Sequence, residues 1–288
     1  MRCNLLRTLV IAALGLAAIS NHASAGPVTF TIDPTQSSLQ AIAYLGGPPS
    51  GGGTQITTAQ SGTSDTTSLY GSLVADTAAA GGNISFPGGS NVNYTYQPGN
   101  FLPDANGGDA TGPDPAGTGG APAQFGLLVN IPGLATGYIS ISSALSDISD
   151  FSAGGTPLSG GSFDATQQNV LVTQGSIAYW ISAPALSATP LFGSSVIAPP
   201  TLAAQNGVDS AGNSNGQVGS VTTIGGVTTI TLPIFADQVV SVSGLPVDVV
   251  FTGQIVATAT VPEPTTFALA GFGIVGLMLV ATRRLRRS

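Results

Sequence analysis

Short runs with β-branched or aromatic residues at every second position recur along the chain: VTFTID from Val28, ITTAQ from Ile56, NISF from Asn83, NVNYTY from Asn91, YISIS from Tyr138 and NVLVTQGSIAYWIS from Asn169. VTTI, VTTITL, VVSVSG and VDVVFTGQIVATAT follow before Val261. Period two in Val, Ile, Thr and aromatics, punctuated by Gly, Pro, Asn and Ser, predicts strands, because successive side chains point to opposite faces of a sheet. No convincing amphipathic helix of a dozen residues interrupts them. The body therefore reads as all-β, and many short strands at close spacing predict a β-sandwich or jelly-roll-like domain over 26–260. Leu102 to Pro122, rich in Gly, Pro and Asp, reads as a long loop, and Gly207 to Gly219 as a second.

The two ends break this pattern. Residues 1–25 carry Arg2 and Arg7, an eleven-residue apolar stretch from Leu9 to Ile19, then Ala23 and Ala25 before Gly26. A charged start, an apolar run too short to span a bilayer and an A-x-A site predict a signal peptide cleaved after Ala25. At the other end, Thr265 to Thr282 holds eighteen residues without a charge. At ~1.5 Å per residue a helix there is about 27 Å long, just sufficient for the hydrocarbon core of a membrane. Arg283, Arg284, Arg286 and Arg287 follow at once. Arg-rich flanks stay on the cytoplasmic side, so these residues predict a stop-transfer signal, with 283–288 as a cytoplasmic basic tail and the body exported.

Charge sharpens the picture. The six arginines lie in the terminal segments, and from Gly26 to Val261 the chain has no Lys, Arg, His or Cys. A body without His or Cys has no Ser-His-Asp or Cys-His nucleophile and no nitrogen or sulfur ligands for zinc or copper. Without Lys or Arg it offers no P-loop and no countercharge for a phosphate backbone, so nucleic acid is not expected as a partner.

Between the last strand and the apolar run stands Pro262-Glu263-Pro264. Two fixed φ angles hold this acidic handle extended. This triplet, the glycine-interrupted apolar stretch and Arg283-Arg284-Leu285-Arg286-Arg287 resemble, in that order, the PEP-CTERM sorting signal of Gram-negative bacterial exported proteins. The resemblance is confined to the tail. It implies recognition by an exosortase, a membrane cysteine protease or transpeptidase, and a link to exopolysaccharide and biofilm; it assigns no function to the body.

Carboxylates, hydroxyls, amides and aromatics are the remaining chemistry. Asp104, Asn106, Asp109 and Asp114 are spaced so that several oxygens converge on one hard cation such as Ca²⁺. The EF-hand order fails there because Gly108 takes a ligand position, and a solvated acidic loop is the simpler account. Tyr94 and Tyr96 at i and i+2 of one strand are expected to share a face, a geometry suited to stacking on sugar rings. Tyr179 and Trp180, as neighbours, face opposite sides, so one of them belongs to the core. The expected function is a non-catalytic, exported structural or adhesive protein of the cell surface or extracellular matrix. The alternatives are a carbohydrate-active module, binding or two-carboxylate hydrolytic, and a calcium-stabilised adhesin.

Overall fold

The computed structural model describes residues 26–59, 64–79, 82–101, 121–182, 191–196, 202–242 and 245–260. In chain order its strands are β1 (Val28–Ile32), β2 (Ser38–Leu45), β3 (Thr54–Gln55), β4 (Thr57–Ala59), β5 (Thr66–Ala79), β6 (Asn83–Ser85), β7 (Asn91–Tyr94), β8 (Gln97–Phe101), β9 (Ala121–Ala123) and β10 (Phe125–Ile131). There follow β11 (Ala135–Asp150), β12 (Thr156–Pro157), β13 (Ser162–Asp164), β14 (Gln168–Ser182), β15 (Leu191–Val196), β16 (Leu202–Gln205), β17 (Val218–Ile224), β18 (Val227–Val242) and β19 (Leu245–Thr260). The body is all-β, as the alternation predicts. Its described strands form one large antiparallel sheet, with β8 and β9 paired apart.

Local chemistry explains how one sheet absorbs so many strands. Strands β1 and β2 lie end to end between β5 and β19: Val28 to Thr31 pair with Ala75 to Ser72, and Ser38 to Gln40 with Ser68 to Thr66. On the other edge Thr31 pairs with Thr258, and Ser38 to Leu45 with Gln254 to Val247. The turn between them is locked by Asp33, which accepts hydrogen bonds from Thr35 N, Thr35 Oγ1 and Gln36 Nε2 at 2.9, 2.7 and 2.6 Å. Ser37 then stands in for the missing rung, accepting from Val256 N at 2.8 Å and donating to Val256 O at 3.2 Å.

The sheet continues from β5 through β7 to β11, and from β11 to β14. A second path reaches β11 from the far end of β2 by way of β3, β4 and β10. Gly71 of β5 is needed where β7 crosses: its φ is 110°, and a Cβ there would lie 2.1 Å from Asn91 O.

Asn206 curls the sheet back on itself. Strand β16 pairs with Asn169 to Val172 of β14. The fully buried Asn206 that follows it donates from Nδ2 to Pro233 O at 2.9 Å and accepts from Phe235 N at 2.8 Å. Gly207 N adds a bond to Phe235 O at 2.8 Å, so one side-chain amide and one peptide replace a strand pair between β16 and β18.

One inner face results, carrying Phe30, Leu39, Leu69, Phe125, Ile230 and Ile255 in a common core. Strand β11 keeps its apolar residues on that face through a register shift between Ser142 and Ser146: before it Ile139 and Ile141 point inward, after it Ala144 and Ile148. Ser143, at the shift, has φ 55°, the conformation that lets an extra residue be accommodated in a bulge.

Candidate functional site

The tyrosine pair expected to form a sugar platform is split. Tyr94 is 4% exposed, with its Oη 2.5 Å from Ser146 Oγ inside the core. Burial pushes its phenol up to about 12, against the hydrogen bond from Ser146. Tyr96 is 46% exposed and bonds the backbone N and Oγ of Ser143, both at 2.9 Å. The regular alternation fails because β7 ends at Tyr94. Of the other neighbouring aromatics, Tyr179 lines the interior, while Trp180 packs against Tyr138 with ring centroids 6.2 Å apart.

Asp104, Asn106, Asp109 and Asp114 lie outside the described residues, as do Ala23, Ala25, Pro262, Glu263, Pro264, Arg283, Arg284, Arg286 and Arg287. Among the described residues no group of three or more His, Cys, Asp or Glu is disposed to hold a metal ion, and no helix is long and apolar enough to cross a membrane.

With no basic side chain in the body, the described aspartates that follow are held by dipoles. Asp147 accepts from Ser90 N at 2.7 Å and Gly89 N at 3.1 Å; Asp150 accepts from Phe86 N at 3.0 Å and Ser85 Oγ at 2.7 Å. Asp164 caps the short turn after β13 by accepting from Thr166 N at 3.0 Å. These carboxylates tie loops to strands, each meeting backbone N–H groups that would otherwise be unpaired.

Three more meet on the outer face of β18 and β19, where no sequence motif places them. Asp237 accepts from Ser210 N at 2.8 Å, Ser210 Oγ donates to Asp248 Oδ1, and Ser50 Oγ donates to Asp209 Oδ2. All three are at least 90% buried. Burial holds the Asp237 carboxyl above the usual range, aided by the charges of Asp248 and Asp209 and opposed by Ser210. Its Oδ1 has no hydrogen-bond partner among the described residues. Burial also raises Asp209, but hydrogen bonds from Ser50, Asn213 and Ala211 outweigh it and leave that carboxyl below its ordinary value. The cluster fastens the Gly207 to Gly219 excursion onto the sheet.

The inner face encloses a cavity of about 230 Å³. Its walls come from opposite sides of the curled sheet, including Leu69 of β5, Val92 of β7, Ile141 of β11, Val170 of β14, Ile234 of β18 and Ile255 of β19. Its location was hidden in the sequence because its wall residues are brought together only by pairing strands far apart in the chain.

The PEP-CTERM protein-sorting motif matches residues 260–287. It begins on the last residue of β19, and it marks the chain as an exported protein sorted by an exosortase-type enzyme. No curated protein and no solved structure matches the chain.

Proposed function

We propose that the chain is a non-catalytic structural or adhesive protein of the cell surface or extracellular matrix. In this reading, residues 1–25 are a signal peptide, Thr265 to Thr282 hold the precursor in the inner membrane, and Arg283 to Arg287 stop its transfer. An exosortase-type enzyme then acts at Pro262-Glu263-Pro264, and the β body is displayed or released among exopolysaccharide and biofilm material. The sorting motif directly behind the final strand carries the reading.

A non-catalytic role is favoured by the side-chain inventory and by the work the aspartates already do. No His, Cys, Lys or Arg is present between Gly26 and Val261. Asp33, Asp147, Asp150 and Asp164 are committed to turns and loops, which leaves them poorly suited to act as free acid or base on a sugar.

The test replaces Pro262, Glu263 and Pro264 by alanine in the producing cell. The unaltered protein is expected at the surface or in the medium with its tail removed, and the variant is expected to accumulate uncut in the inner membrane. Cells lacking the protein should lose attachment or matrix cohesion. Identical fractionation of the two forms would remove the sorting step from the proposal, and normal attachment without the protein would remove the adhesive role.

A further inference from the structure

We propose that the interior cavity is a binding site for an uncharged, largely aliphatic molecule, or the alkyl part of one. The lining decides the chemistry. Of its described lining residues only Tyr94, Ser146, Tyr179 and Gln238 carry polar side-chain atoms, and the first two are bonded to each other. A buried water needs two to four polar partners, so the apolar length of this space does not suit water.

Charge is excluded by the same wall. No carboxylate among the described residues lines the cavity, and the body has no Lys, Arg or His to pair with an anion. A charged ligand would be buried without a partner. Size follows from volume: an apolar cavity of ~150 Å³ takes benzene, so about 230 Å³ takes roughly nine carbons.

The half-buried members of the lining are Ile139 of β11, Val172, Ile177 and Tyr179 of β14, Gln238 of β18, and Val249 and Phe251 of β19, whereas Leu69, Val92 and Ile255 are closed off. Tyr179 and Gln238 are the ones among them with polar side chains, which suits them to the mouth. Asn206 joins β16 to β18 at Pro233 and Phe235, short of Gln238. A ligand therefore enters past Tyr179 and Gln238, with a hydroxyl or similar neutral group left at these two side chains and its alkyl chain directed toward Ile148 and Ile255. Fixed wall residues and a single polar end give the orientation expected of a built pocket.

The experiment uses the full chain in the membranes of expressing cells and a ten-carbon alcohol bearing a mid-chain diazirine. After illumination and chymotryptic digestion, label is expected on inward-facing residues such as Leu69, Ile141 and Ile255. Excess decanol should displace it and decanoate should not. Ala144→Leu and Ala236→Leu each put three extra carbons into the cavity and should lower body labelling about tenfold, the factor that follows from a 1.4 kcal/mol penalty, with tail labelling as the internal reference. Label confined to the tail or to outward-facing residues, or body labelling undiminished by decanol, overturns the proposal. So does equal competition by decanoate, or full labelling in folded forms of both variants. Should neither variant fold, the wild-type melting temperature decides: a saturable rise with decanol supports the site and no rise overturns it.

Discussion

Tyr96 Oη, just past the end of β7, stands 2.9 Å from both the backbone N and the Oγ of Ser143, a residue at φ 55° in β11. The phenol holds the bulge that lets β11 keep one face toward the core along its whole length. Tyr96→Phe retains the ring and loses both bonds, and is expected to cost about 1–3 kcal/mol. A urea melt that leaves stability unchanged would show that the bulge forms without this anchor.

Gly71→Ala meets two obstacles together, a positive φ of 110° and the carbonyl of Asn91, 2.1 Å from the new Cβ. The nearest obstacle is the backbone of Asn91, which gives little room to relax, with Asn93 Nδ2 2.9 Å away as well. A loss of more than about 3 kcal/mol, or failure to fold, is expected from strain and a broken β5–β7 pairing. Near-normal thermal unfolding would contradict that geometry.

Asp237 provides a pH signature. Its folded carboxyl titrates above the ordinary value of 3.8. The folded state therefore holds this proton more tightly than the unfolded chain, and the group destabilises as pH rises from 3.8 through its folded value. The effect is constant above that window and absent well below 3.8. Asp237→Asn removes the charge beside Asp248 and Asp209 while keeping an oxygen for Ser210 N. It should melt higher than the wild type near neutrality and at the same temperature at pH 3. A gain that persists at pH 3 would point to packing instead of titration.

Asp209 has the opposite sign. Its carboxyl lies below its ordinary value in the folded protein, so its contribution is present above 3.8 and is lost as pH falls through the folded value. Asp209→Ala frees Ser50, Ala211 and Asn213 together. The Gly207 to Gly219 excursion should then exchange its amide hydrogens at least about tenfold faster, as a local loss of ~1.4 kcal/mol predicts. Unchanged exchange would show that Ser210 alone fastens the loop.

Maturation is read by mass. No Lys or Arg lies between Arg7 and Arg283, so trypsin should leave the body in one piece. Intact mass before digestion should show the loss of residues 1–25 and of a segment near Pro262-Glu263-Pro264. A full-length mass in a cytosolic fraction would contradict export.

The alternation of Val28 to Ile32, Asn169 to Ser182 and Val247 to Thr260 made β1, β14 and most of β19 legible in the sequence. Strand β10 was not, because FGLLVNI is apolar on successive residues where both faces are covered. Strand β5 was obscured by Gly71, whose meaning depends on how closely β7 approaches. The ends were the clearest part, since apolar length and arginine placement are local properties. Tyr94 and Tyr96 misled because a two-residue spacing puts side chains on one face only while the strand lasts, and β7 stops between them. Asp209, Asp237 and Asp248 share no local spacing, and Asn206 has no signal that distinguishes it from any loop amide. Their roles exist only after distant strands have paired.

Asp147, Asp150 and Asp237 are tethered by peptide N–H groups and hydroxyls, with no cationic side chain anywhere between Gly26 and Val261. Dissolved salt has no ion pair here to weaken. What mobile ions can screen is only the mutual repulsion of the carboxylates, so the folded body should pass from fresh water to brine with its strength unchanged or slightly increased.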